Sequence, residues 1–271
     1  MRIGVVGAGR MGWPMALRLR DAGHDVGVLT RNDPASTRAR AAGLRAAPTV
    51  AETCRGAQVV IVCVFTDAQV RETCLGADGI VESVDIGASI VIHTTGSPTT
   101  AEEVADAAAR RDVAVLDGPV SGGPTDVAAG RVTLFVGGDE ASLAAVRPAL
   151  GTYGSPIVHA GPVGYGQRVK LVNNALFAAN IATAAGAMRL GNDLGVDDRV
   201  LLEALPNGSS GRPAIAILAG SGSVAQLAAS VGEFLSKDVA MVRAVADRLG
   251  ADLGVLGDVL SSDYVPEALL G

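Results

Sequence analysis

A doubly wound α/β domain followed by an all-α domain is what this chain predicts, and three observations carry that reading. Short β-branched runs alternate with helical stretches up to about Gly161, a glycine turn joins the first run to the first helix, and from Gln167 onward the composition becomes helical. The predicted division is residues 1–161 for the α/β domain and 162–271 for the helical one.

The first strand is predicted at Ile3 to Val6 and feeds Gly7-Ala8-Gly9-Arg10-Met11-Gly12, after which Trp13 to Asp21 reads as a helix. In a strand, turn and helix of this kind Gly7 permits the tight turn, Gly9 lets the backbone approach a pyrophosphate, and Gly12 lets helix and strand pack closely. A second strand at Asp25 to Leu29 follows. Together these predict a Rossmann-type dinucleotide site.

The end of the second strand discriminates between cofactors. An acidic residue there accepts the ribose hydroxyls of NAD, but this chain has Thr30-Arg31-Asn32, with Asp33 only afterwards. Arg31 can pair with a 2′-phosphate, and Thr30 and Asn32 can donate to it, which favours NADP(H) over NAD(H). A solvated loop arginine is the other reading of Arg31.

Alternation continues through strands at Gln58 to Val64, Ser89 to His93, Val113 to Leu116 and Val132 to Val136, with helices at Ala68 to Cys74, Thr100 to Arg111 and Asp139 to Leu150. Ligands in such folds bind at the carboxyl ends of parallel strands. That rule directs Val64-Phe65-Thr66, Thr94 to Ser97 and the Ser121-Gly122-Gly123 turn toward the cofactor crevice. Ser121 with two glycines offers a hydroxyl and open amides, suited to a carboxylate, although such a turn also occurs for structural reasons alone.

Pro156 to His159 reads as a last strand, and Gly161 to Asn174 then opens the helical domain. Helices are predicted from Gln167 to about Leu194, Asp197 to Leu205, Pro213 to Leu227 and Glu233 to Leu249, with a break over Gly208 to Arg212. Lys170 and Asn174 fall one turn apart, beside Val169, Leu171, Val172, Leu176 and Phe177. Spacing leaves Lys170 open between a surface cation at the start of an amphipathic helix and a desolvated proton-transfer group. Lys237, in Ser236-Lys237-Asp238, reads on spacing as a surface charge.

Composition bounds the rest. The chain has 271 residues, 49% of them hydrophobic and 3% aromatic, so its core is built mainly from Ala, Val, Leu and Ile. A net charge of -6 without a basic cluster recommends neither nucleic acid nor an anionic membrane as a partner. Cys54, Cys63 and Cys74 lack metal spacing and read as reduced packing residues, while His24, His93 and His159 are scattered, so no metal is expected. No run approaches ~18 uninterrupted apolar residues, and Met1 to Gly7 enters a strand without a signal-peptide pattern, which together give a cytoplasmic expectation.

With the glycine turn, the Asp117 to Gly123 loop, the Lys170 stretch and Lys237-Asp238 in this order, the chain resembles the β-hydroxyacid dehydrogenase family over nearly its whole length. The resemblance implies that Lys170 is the catalytic acid/base and Asn174 its partner amide. It further implies that Ser121, Gly122 and Gly123 bind a substrate carboxylate, that Thr95 lies by the nicotinamide, and that Lys237 stands at the cofactor edge. The chain departs from the family pattern at Asp126 and Val127, where glycine and alanine are usual, and at His93-Thr94 in place of Met-Ser.

The expected chemistry is hydride transfer between NADP(H) and a small carboxylate-bearing alcohol or carbonyl compound, in a homodimer or homotetramer. An imine reductase on the same fold and a non-catalytic dinucleotide-binding module are the alternatives.

Overall fold

The computed structural model describes residues 1–208 and 213–262. The chain divides into two compact units, Met1–Lys170 and Leu171–Gly271.

In the first unit the strands β1 (Arg2–Val6), β2 (Asp25–Leu29), β3 (Arg45–Ala47), β4 (Val59–Val62), β5 (Ser89–Ile92) and β6 (Ala114–Asp117) run parallel. Their spatial order is β3-β2-β1-β4-β5-β6, that of dinucleotide-binding sheets. The order reverses at β1, whose neighbours are β2 and β4, so a crevice opens at the carboxyl ends of β1 and β4. Helices α1 (Gly12–Asp21), α2 (Asp33–Ala41), α3 (Val50–Cys54), α4 (Asp67–Leu75), α5 (Ile80–Ser83) and α6 (Pro98–Ala109) make the crossovers.

Beyond β6 the chain forms β7 (Val120–Ser121), α7 (Pro124–Ala128), β8 (Val132–Gly137), α8 (Glu140–Leu150) and β9 (Gly154–Gly161). Strand β8 is antiparallel to β6 and β7 and parallel to β9.

Side chains that alternate along a strand enter opposite faces of the sheet. Ile3, Val5, Val59 and Ile61 join one core, whereas Val6, Val60 and Val62 join another. Both faces are therefore covered, as a parallel sheet requires, and each fully buried Val or Ile contributes about 1.5–3 kcal/mol.

Helix α9 (Tyr165–Asp193) starts in the first unit and continues into the second, which also holds α10 (Asp198–Asn207), α11 (Pro213–Ser221), α12 (Val224–Leu249) and α13 (Val255–Leu260). Its core gathers Ala178, Ile181, Leu227, Leu235 and Val239. The expected break between Leu227 and Glu233 does not form, because Gly222 turns the chain at φ +82 and Ser223 caps α12, accepting from the amide of Gln226 at 3.1 Å. From there α12 runs unbroken, so Lys237 lies mid-helix. The loop expected over residues 209–212 lies outside the described residues.

Helix α9 is long and apolar enough to cross a bilayer, contrary to the apolar-run expectation, which counted only uninterrupted stretches. Half of its most apolar stretch is buried within the protein, as in a core helix.

Candidate active site

The glycine turn meets the steric demands read from its sequence. Gly7 has φ +97, and a Cβ there would stand 2.2 Å from the Cys63 carbonyl oxygen. A Cβ on Gly12 would stand 2.2 Å from the Gly7 oxygen, so these two glycines serve the fold itself. Gly9 differs: nothing lies within 4 Å of its Cβ position, and the residue is exposed. That open space above a helix start is where a pyrophosphate fits. Arg10 is exposed beside it, while Ala8 and Met11 pack on the core.

At the end of β2 the three expected residues take different roles. Arg31 is exposed. The Thr30 hydroxyl is buried, donating to the Ala47 oxygen at 3.3 Å and accepting from Ser36 Oγ at 2.9 Å. Asn32 caps α2, its Oδ1 accepting from the amide of Ala35 at 2.9 Å. Among these three, Arg31 is the group presented to solvent without a task in the fold.

The loops after β4, β5 and β6 are stitched together. Thr94 Oγ1 donates to the Val64 oxygen at 2.9 Å and accepts from the Val64 amide at 3.1 Å. Asp67 accepts from the amide of Ser97 at 3.0 and 3.1 Å. Thr66 caps α4 through Gln69, whose Oε1 also accepts from the amide of Phe65 at 2.9 Å. Phe65 is half exposed at the mouth of this group.

Gln167 extends the stitching to the helix that carries Lys170. It is buried; its Oε1 accepts from the Gly96 amide at 3.0 Å and its Nε2 donates to the Thr94 oxygen at 2.8 Å. Both backbone neighbours of Thr95 are therefore held by one side chain on the first turn of α9. Lys170 follows Gln167 by one helical turn and is only 9% exposed.

Asp117 holds the same helix start from β6. Its Oδ1 accepts from the Gly164 amide at 2.6 Å and its Oδ2 from the Gln167 amide at 2.7 Å. Two amides and the helix dipole favour the carboxylate, yet burial outweighs them and pushes this group up to about 6.

Behind the Ser121 loop lies a third buried network. The carbonyl of Gly118 only accepts, so His93 Nδ1 carries the proton and donates to it, leaving Nε2 to accept from the Tyr153 hydroxyl at 2.8 Å. Burial holds His93 down at about 4 and keeps Tyr153 well above its usual range, so both are neutral. From Gly118 the chain leads through Pro119 and Val120 into Ser121 at the end of β7, with Gly122 at φ +129. The amide of Gly123 donates to Asp126 Oδ2 at 2.8 Å.

In the second unit, Asn174 and Lys237 meet on one residue. Asn174 Nδ2 donates to Asp238 Oδ2, and Lys237 Nζ lies 3.0 Å from Asp238 Oδ1. Asp238 is 3% exposed, so its charge is held in place by these two partners.

Sequence reasoning assigned no role to Asp117, Gln167, Asp238 or the His93–Tyr153 pair. Asp117, Gln167 and Asp238 stood inside quoted motifs as letters without a partner, and Tyr153 carried no signal at all. Burial pushes Cys54, Cys63 and Cys74 up to about 12, in keeping with unreactive packing thiols.

Comparison with known proteins follows the same two parts of the chain. Residues 2–161 match the NAD binding domain of 6-phosphogluconate dehydrogenase, and residues 164–261 match the NAD-binding region of NADP-dependent 3-hydroxyisobutyrate dehydrogenase. An NAD-dependent L-serine dehydrogenase of Pseudomonas aeruginosa is 37% identical over 216 residues, 80% of this chain and 72% of that protein. A 3-hydroxyisobutyrate dehydrogenase of the same organism is 37% identical over 213 residues, 79% of this chain and 72% of that protein.

Among solved structures, Mycobacterium tuberculosis 3-hydroxyisobutyrate dehydrogenase with L-serine superposes at a TM-score of 0.85 and 26% identity, over 97% of this chain and 94% of the other. An imine reductase from Pseudomonas sp. shares the fold at a TM-score of 0.66 and 18% identity, over 96% of this chain and 90% of the other. The chain belongs to the β-hydroxyacid dehydrogenase family and is an NAD(P)-dependent dehydrogenase of the 3-hydroxyisobutyrate dehydrogenase group.

Proposed function

We propose that this enzyme interconverts a small β-hydroxy acid and its semialdehyde with NADP(H), using Lys170 as the general acid/base. The observation that carries this reading is the Gln167 bridge, which ties the helix start before Lys170 to both flanks of Thr95. A lysine anchored in this way to a loop at the carboxyl end of β5 is suited to proton transfer where a nicotinamide would lie.

The open space over Gly9 fits a pyrophosphate, with Arg10 beside it, and exposed Arg31 is the group that would meet a 2′-phosphate. When bound, the nicotinamide supplies or accepts the hydride. In oxidation Lys170 Nζ would take the hydroxyl proton as the carbinol carbon gives up its hydride and the C=O bond forms. Reduction reverses each transfer. Ser121 Oγ and the Gly122 amide are placed in the loop that would hold the substrate carboxylate, so that binding energy remote from the reacting carbon orients it. Within the second unit, Asn174 and Lys237 are joined by Asp238 as a polar pair held in fixed orientation.

The relatives named for 3-hydroxyisobutyrate and L-serine support a small β-hydroxy acid substrate. The imine reductase reading has weaker support, since those neighbours share the fold at 18–19% identity, below the 37% of the dehydrogenases. A homodimer or homotetramer fits a face of α9 on which Val172, Leu176 and Leu190 are more than half exposed. Cytoplasmic residence is part of the same proposal, in keeping with the reduced cysteines.

A spectrophotometric screen tests the reading: semialdehydes, glyoxylate and cyclic imines with NADPH and NADH, and β-hydroxy acids with NADP+ and NAD+. Turnover of semialdehydes and β-hydroxy acids, faster with the phosphorylated cofactor, is expected. Turnover of cyclic imines alone, or a preference for NADH, would overturn the corresponding part.

A further inference from the structure

The loop proposed to hold the substrate carboxylate already contains a carboxylate of its own. Asp126 Oδ2 accepts from the Gly123 amide at 2.8 Å and lies 3.0 Å from where a Cβ of Gly122 would stand. One of the two glycine amides is thus occupied from within, and a negative charge lies against the other glycine. The ion pair that Asp126 makes is with Arg131, at 3.9 Å, between side chains 40% and 70% exposed. Pairs that long and that wet offset little of the charge.

A substrate bearing only a carboxylate meets repulsion at this loop. A substrate whose carboxylate is flanked by an ammonium group on the adjacent carbon offers Asp126 an opposite charge, while its carboxylate keeps Ser121 Oγ and the Gly122 amide. We infer that Asp126 is a specificity-determining residue that selects β-hydroxy acids carrying an α-ammonium group over the same acids without it. This inference rests on the proposal that the Ser121 loop holds the substrate carboxylate; the hydride and proton transfers are those given there.

Asp126 also closes the first turn of the short helix α7, donating nothing and accepting from its N-cap amide. A purely structural role and a selective role therefore have to be separated. The Asp126→Asn variant does so, because its side-chain oxygen still accepts from the Gly123 amide while the charge is gone.

The test compares kcat/KM for L-serine and 3-hydroxypropionate, which differ only in the α-amino group, in the wild type and in Asp126→Asn. The wild type is expected to favour L-serine by tenfold or more, and Asp126→Asn to reduce that ratio at least tenfold, mainly by raising KM for L-serine and lowering it for 3-hydroxypropionate. Thermal unfolding of the variant is expected to match the wild type. An unchanged ratio in the variant, or a wild-type preference for 3-hydroxypropionate, would overturn the inference. Failure of the underlying reading looks different: the wild type then turns over neither compound with either nicotinamide cofactor, and the inference falls with it.

Discussion

The backbone amide of Gln167 donates to Asp117 Oδ2 at 2.7 Å, so the first turn of α9 ends on a carboxylate supplied by the end of β6. The Gln167 side chain turns the other way, to Thr94 and Gly96 beyond β5. One residue thereby fixes the start of the lysine-bearing helix against two strand ends.

Replacing Gln167 with Ala leaves the buried Thr94 carbonyl and Gly96 amide without a partner. Each such loss costs about 1–3 kcal/mol, so destabilisation of roughly 2–4 kcal/mol is expected, measured by urea unfolding. Turnover should fall about tenfold at saturating substrate, because the Thr95 loop loses its tie to α9. Wild-type kcat in a folded variant would remove Gln167 from the positioning role.

Lys170→Ala should bind NADPH as the wild type does and lose on the order of a hundredfold or more in kcat. Fluorescence titration of the cofactor beside steady-state rates separates the two effects. Loss of cofactor binding with little change in kcat would place Lys170 in recognition instead of chemistry.

The two glycine environments predict opposite outcomes for the same change. A Cβ at Gly9 meets open space, so Gly9→Ala should fold with wild-type stability and bind the cofactor at least tenfold more weakly. A Cβ at Gly12 meets the Gly7 oxygen at 2.2 Å, so Gly12→Ala should be expressed poorly or unfold at lower temperature. Calorimetry and isothermal titration distinguish these results, and a destabilised Gly9→Ala would contradict them.

Two buried groups make opposing contributions to stability in acid. Asp117 is raised from 3.8 to about 6, so the folded state binds its proton more tightly; that contribution is present below about 4 and is lost as pH rises through 6. His93 is lowered from 6.5 to about 4, so its contribution is present above 6.5 and is lost as pH falls through 4. Between pH 4 and 6 the two slopes oppose one another. Relative to the wild type, Asp117→Asn should therefore lose stability more steeply on acidification over this interval, and His93→Gln less steeply. Urea midpoints at half-unit pH steps measure both, and parallel curves for the two variants would refute the assignment.

Much of the fold was legible because its signals are local. The β-branched run before Gly7, the φ +97 turn at Gly7 and the close approach at Gly12 depend on residues adjacent in the chain. Helix ends were less legible: the single long α12 spans parts of the two helices expected at Pro213 to Leu227 and Glu233 to Leu249, whereas Gly222 with its φ of +82 and the Ser223 cap made the actual break. Gly232 is buried, and a helix packed against a core tolerates an internal glycine at a cost of about 1 kcal/mol.

By itself the sequence determined the parallel α/β sheet with its glycine turn, the helical second part, and the positions at which loops leave the carboxyl ends of the strands. Hydrophobic period and glycine placement act over a few residues, and that is why they can be read without a structure. Only the tertiary structure decided the partners: Asp117 with the Gln167 and Gly164 amides, His93 with Tyr153 and Gly118, and Asp238 with Asn174 and Lys237. These pairs join residues far apart in the chain, and each exists because a polar group carried into the interior must find a partner among whatever the fold has brought beside it.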